Sequence, residues 1–234
     1  MIPVLYSAAM AARDDLPRLD LTLEETTALS GAERETLLAL FRSSYHQANP
    51  AFLEKSLEAL RWAALAHQEG RPVGFALGET RVMDLPRLPA QVVSLAGICC
   101  VRNELRRRGL FGRLERLVFS AQEVPEAPRR LFCGRMAHPA ALRTIARIPT
   151  VLPRPGHRPT PWQREVGQAI AETYGVHGFD SETFVCIGPG EPIGYPEIEF
   201  DVEPHEWELF EPVDRDRGDA LLAIAWAPDA PPGW

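Results

Sequence analysis

The apolar positions of this chain recur with two periods, and the places where one period gives way to the other outline its elements. Leu21–Leu29 carries apolar residues in a strand-like run. Ser30-Gly31-Ala32-Glu33 then has the form of a capping box, in which serine and glutamate satisfy the free N–H groups of a helix start. Behind it Leu37, Leu38, Leu40, Phe41 and Tyr45 follow a helical period. Asn49-Pro50 breaks that helix, and a second is expected over about Ala51–Leu60. Trp62–His67 and Pro72–Val82 read as strands, the second with Val73, Phe75 and Leu77 alternating, and Glu69-Gly70-Arg71 joins them as a hairpin. Asp84–Pro89, with two prolines, reads as a loop.

Val92–Val101 is an unbroken apolar run of the kind found in strands buried on both faces. From Gly109 onward Leu110, Phe111, Leu114, Leu117 and Val118 define an amphipathic helix to about Ala121. Leu131–Gly134 is a further strand, and Pro139–Arg147 a helix with proline in its first turn. Pro149–Arg164 contains five prolines and reads either as a linker or as a stiff surface loop. Thr160-Pro161-Trp162-Gln163 opens another capped helix, with Trp162, Val166, Ile170 and Tyr174 on one face and Gly175 ending it. Thr183–Ile187 and Leu221–Trp226 are the last strands, separated by an acidic stretch. Residues 1–150 are expected to form the core, and 151–234 an extension that completes the same domain.

Composition narrows the class. The chain has 234 residues, 45% hydrophobic and 24% charged, enough to bury a core without staples. Its formal net charge of -7 disfavours nucleic acid and membrane surfaces as partners. Met1–Met10 is apolar but lacks the basic start of a signal peptide, and no run of about 18 apolar residues occurs. Four cysteines (Cys99, Cys100, Cys133 and Cys186) form no C-x-x-C pair, so no metal site is offered, and a cytoplasmic setting is expected.

The charge is unevenly placed. Six arginines fall between Arg102 and Arg116, at the junction of the apolar strand with the helix that begins at Gly109. A helix start leaves several backbone N–H groups unpaired and carries positive potential, which suits a phosphate or pyrophosphate. Gly109 permits close approach of the backbone to a ligand. Arg106, Arg107 and Arg108 add charge-assisted donors. The alternative is a helix start merely solvated by arginines. The segment is neither a P-loop nor a dinucleotide fingerprint, because neither glycine pattern is present.

The string ICCVRNELRRRGLFGRL, Ile98–Leu114, resembles motif A of the GNAT acyltransferase superfamily. That motif is an apolar strand ending in valine, a short turn, and [RQ]-x-x-G-x-[GA]. Arg106, Arg108, Gly109 and Leu110 fall in register with it, whereas Phe111 replaces the small residue usual there. The order of preceding elements also fits, so the resemblance covers roughly Leu21–Arg147. It implies an α+β architecture: a mixed, splayed sheet of six to seven strands flanked by helices. It implies acetyl-CoA or another acyl-CoA as cosubstrate, with the pantetheine arm along Cys99, Cys100 and Val101. The pyrophosphate would lie on the N–H groups of Arg107, Arg108, Gly109, Leu110, Phe111 and Gly112. A small-molecule amine would attack the thioester directly, a strand N–H polarising the carbonyl. The protein is expected to be a monomer or homodimer.

Many members of that family use a tyrosine, on the helix after the fifth strand, to protonate the leaving thiolate. Counted from His138, this position is Ile145. His138 and Glu79 are therefore the candidate acid and base, each weighed against an ordinary structural role. Tyr174 and Tyr195 are further candidates, Tyr174 on a buried helix face. A covalent route through Cys99 or Cys100 is disfavoured, since buried strand thiols are inert. Two alternatives remain: an acyl-CoA-binding protein without turnover, and an enzyme using the scaffold for another acyl reaction.

Overall fold

The computed structural model describes residues 18–196 and 202–234; the Met1–Met10 segment lies outside them. The fold is α+β. Among the described residues eight strands form one large sheet, one or two more than expected, in the order Asp20–Glu25 (β1), Trp62–Gln68 (β3), Arg71–Leu85 (β4), Leu88–Val101 (β5), Arg130–Met136 (β6), Ala220–Ala227 (β10), Val185–Ile187 (β8) and Gly178–Asp180 (β7). The chain divides into two compact units, the first formed by residues up to Arg81 with Ser94–Val124, the second by Val82–Val93 with Pro125–Trp234.

In the first unit β1 (Asp20–Glu25) pairs antiparallel with β3 (Trp62–Gln68) along its length, from Asp20 against His67 to Glu25 against Trp62. The expected hairpin joins β3 to β4 (Arg71–Leu85), with Glu69 and Gly70 both at positive φ in its turn. A two-residue strand, β2 (Tyr45–His46), lies outside the large sheet. Helix α1 (Gly31–Ser44) begins with the anticipated capping box: Ser30 accepts from the Glu33 N–H, and Glu33 accepts from the Ser30 N–H at 2.7 Å. Asn49 caps α2 (Pro50–Ala59) by accepting from the Ala51 N–H, so the dipeptide that ends one helix also starts the next.

Strand β5 (Leu88–Val101) leads through a 3-10 turn, Asn103–Leu105, into α3 (Leu110–Ser120). The helix sits close to the sheet because two β4 residues lack side chains. A Cβ on Gly78 would meet Val118 at 2.8 Å, and one on Gly74 would meet the Cys100 carbonyl at 2.8 Å and Leu114 at 3.4 Å. Leu110, Leu114 and Val118 are fully buried on that face. Truncating Leu114 to alanine is expected to cost about 2–5 kcal/mol, which would make this packing a main support of the helix. The expected loop at Asp84–Pro89 is a tight turn instead, because β4 and β5 both continue past it, with Arg87 at positive φ.

The second unit is built around β10 (Ala220–Ala227), whose eight residues are all buried. It pairs antiparallel with β6 (Arg130–Met136) on one side and with β8 (Val185–Ile187) on the other. β7 (Gly178–Asp180) pairs with β8 and was not anticipated; β9 (Tyr195–Pro196) lies outside the large sheet. Helix α5 (Pro161–Thr173) has its capping box, Thr160 with Gln163, and Gly175 follows it at φ 61°. Trp162, Val166, Ile170 and Tyr174 are buried as the pattern requires.

Two expectations are corrected. The helix expected over Pro139–Arg147 ends after one turn, as α4 (Pro139–Leu142), and continues as turns. Thr144 donates its hydroxyl to the Ala141 carbonyl, and Ile148 precedes a proline, which disfavours helical backbone there. The proline-rich stretch is not a free linker. Leu152 exchanges both backbone hydrogen bonds with Ile224, each at 2.8 Å, and is buried.

Candidate functional site

The segment from Cys99 to Gly112 lies wholly within the first unit. Beyond Val101 the Arg102 N–H donates to the Val73 carbonyl, and Arg102 Nε donates to Pro72 O at 2.9 Å, fixing the exit from β5. Arg106 turns inward. Its Nε donates to the Val101 carbonyl at 3.0 Å and its Nη2 to the Ser44 carbonyl at 3.5 Å. It thus braces the loop, whereas Arg107 and Arg108 are exposed.

The loop reverses at two residues with left-handed backbone, Arg107 (φ 62°) and Gly109 (φ 85°). Gly109 is the N-cap of α3, and no side chain caps that helix or places an acid in its first turn. The four other α-helices described each begin with a side-chain cap from Ser30, Asn49, His138 or Thr160. The start of α3 therefore keeps its N–H groups and positive potential for an external acceptor, with two exposed arginines beside it. Leu110 and Gly112 are buried and Phe111 is half-buried, so this turn offers a ligand its backbone.

Cys99 and Cys100 lie near the end of β5. The Cys99 carbonyl accepts from Tyr45 OH at 3.3 Å, and Cys100 is fully buried. Burial pushes both thiols well above the ordinary cysteine range, so neither supplies a thiolate at neutral pH.

Glu79 is buried on β4 in the same unit. Its Oε2 accepts from the Arg61 N–H at 3.2 Å; its Oε1 lies 3.0 Å from Arg81 Nη1 as an ion pair without hydrogen-bond geometry. His138 belongs to the second unit. Its Nδ1 accepts from the Ala140 N–H at 3.1 Å, capping α4, so the neutral ring carries its proton on Nε2. Burial, helped by the nearby cations Arg215 and Arg143, lowers its pKa to about 4, so it is neutral at pH 7. Its ring packs edge-on against Trp207.

The count that led to Ile145 assumed an unbroken helix from His138, but α4 stops at Leu142 and Ile145 lies in the turns beyond. The first longer helix after β6 is α5. Tyr174 stands at its end, buried, donating its hydroxyl to the Cys133 carbonyl of β6 at 3.1 Å. The Arg135 guanidinium lies 5.1 Å from its ring centroid. Tyr195 belongs to a separate cluster with Trp207 and Arg215, which the sequence reading missed. These three residues are far apart in the chain and share no local motif.

No protein-family model and no curated protein matches the chain. Several solved structures that resemble it are N-acetyltransferases. Among them is the ribosomal-protein-alanine N-acetyltransferase from Escherichia coli, with 11% identity and a TM-score of 0.41, covering 92% of this chain and 99% of that one. An agmatine N-acetyltransferase has 18% identity and a TM-score of 0.39, covering 63% and 92% of the two chains. An aminoglycoside N-acetyltransferase in complex with CoA has 19% identity and a TM-score of 0.33, covering 44% and 70%.

Proposed function

We propose that this chain is an acyl-CoA-dependent N-acyltransferase, with acetyl-CoA as the first cosubstrate to test and a small-molecule amine as acceptor. The observation that carries the reading is the start of α3. It is a left-handed Gly109 N-cap without a side-chain cap, flanked by exposed Arg107 and Arg108, directly after the buried strand β5. That combination suits a pyrophosphate. Cys99–Val101 would receive the pantetheine arm as an added strand.

Tyr174, at the end of the longer helix α5 in the second unit, is a candidate for the thiolate-protonating role. Glu79 receives the amine proton through water. His138, with Nδ1 engaged, has only Nε2 for the same task. Tyr174→Phe is expected to lower kcat by at least about 10-fold while leaving acetyl-CoA affinity within about two-fold, consistent with a proton-transfer role. A parallel loss of binding and stability would instead mark Tyr174 as a core residue.

The shared premise is tested by thermal shift with CoA, acetyl-CoA and longer acyl-CoAs. Stabilisation by at least one of them is expected, and its absence throughout would sink the proposal. In Gly109→Trp that stabilisation should disappear. The second reading, a binder without turnover, draws on the hydrogen bonds that already occupy His138 Nδ1, Glu79 Oε2 and Tyr174 OH. Thiol release in the presence of an amine panel separates the two readings.

A further inference from the structure

In the second unit Arg215 lies over two aromatic rings. Its guanidinium carbon is 4.8 Å from the centroid of Tyr195 and 4.8 Å from that of Trp207. Trp207 also meets His138 edge-on at 5.1 Å and Phe210 at 6.2 Å, which fixes its plane. The two rings offer the guanidinium cation–π contacts and no hydrogen-bond acceptor, so recognition falls to its N–H groups.

One of those groups lacks a counterpart among the described residues. Nη2 of Arg215 is shut off from solvent and finds no hydrogen-bond acceptor among the described residues. A buried charged donor without an acceptor is costly, so the arrangement is incomplete as it stands. The carboxylates nearby are used elsewhere. Glu206 takes a bidentate pair of hydrogen bonds from Arg143 and a further one from the Glu203 N–H. Asp214 accepts from the Asp216 and Arg217 N–H groups, and Asp219 pairs with Arg217. Arg215, Trp207 and Tyr195 are each only half-buried, so a small local opening of the cluster brings Nη2 within reach of a ligand.

We propose that the Trp207–Arg215–Tyr195 cluster recognises a carboxylate, in the simplest case that of an amino acid. A planar carboxylate matches the guanidinium fork through two parallel hydrogen bonds. The neighbouring aromatic rings favour a ligand with an apolar or aromatic body.

The test uses the full chain and amino acids paired with their decarboxylated amines: lysine with cadaverine, tyrosine with tyramine, tryptophan with tryptamine. Binding is measured by calorimetry without acyl-CoA. At least one amino acid should bind roughly 10- to 100-fold more tightly than its amine, the worth of a charge-assisted bidentate contact. Arg215→Met should erase the preference, and Arg215→Lys, which keeps the charge but not the fork, should restore only part of it. Acetyl-CoA binding should stay within about two-fold in both variants, since it uses the other unit. If Arg215→Met does not fold, as its melting curve would show, Arg215→Lys alone decides. The proposal is overturned if no amino acid outbinds its amine, or if the preference survives undiminished in either variant. Arg215-dependent binding without any acyl-CoA binding would instead sink the N-acyltransferase reading and leave the carboxylate site standing.

Discussion

Gly109 and His138 both stand at helix starts and do opposite things there. Gly109 contributes a left-handed turn and no side chain, leaving the first turn of α3 open. An alanine at this φ costs about 1–2 kcal/mol, so Gly109→Ala should lower the melting temperature by about 2–8 °C and weaken acetyl-CoA binding as well. His138 closes its own helix by accepting from the Ala140 N–H. Its folded pKa of about 4 lies below the ordinary histidine value of 6.5. The folded state therefore resists a proton that the unfolded chain accepts. The stability gained is complete above pH 6.5 and is lost as the pH falls from 6.5 towards 4. Melting temperatures between pH 7 and pH 5 should fall more in the native protein than in His138→Asn, which keeps a good cap and does not titrate. The window stops at pH 5 because Glu206 follows below it. Its hydrogen bonds from Arg143 hold its pKa at about 2, so its own contribution is lost only on further acidification.

Helix caps were the most legible elements because they are written within four residues. Ser30 with Glu33 and Thr160 with Gln163 formed the capping boxes their spacing required. Thr160→Ala should cost about 1 kcal/mol, or about 2–4 °C in melting temperature, measurable by calorimetry. Elements decided at longer range were not legible. β7 is three residues, too short to show a period, and exists because β8 lies beside it. The helix expected over Pro139–Arg147 from its N-terminal proline stops at Leu142, cut short by Thr144 and Pro149. The candidate site divides in the same way. The Arg106–Gly112 loop follows from a local motif, whereas the Arg215 stack joins residues on three separate segments. Tyr174 was judged correctly as buried, but its relation to β6 depended on where α4 stops.

At the scale of the whole molecule, a chain of charge -7 would repel a polyanionic cofactor were its arginines evenly spread. Six of them instead lie within Arg102–Arg116. Attraction is then local and screenable. Raising the salt from 50 to 500 mM should weaken acetyl-CoA binding several-fold, and Arg107→Ala with Arg108→Ala should flatten that dependence, as titrations at two ionic strengths would show. Arg106→Ala should behave differently. Its guanidinium is committed to the Val101 and Ser44 carbonyls, so its loss should loosen the loop and lower stability at either salt concentration.

The pairing of Leu152 with Ile224 gives the proline-rich stretch an anchor in the middle of the second unit. In a hydrogen–deuterium exchange experiment the Leu152 amide should therefore retain its proton about as long as the buried amides of β10, while exposed neighbours such as Arg154 and Arg158 exchange early. A segment without regular secondary structure would then report the opening of the sheet itself, through a slow amide followed by fast ones.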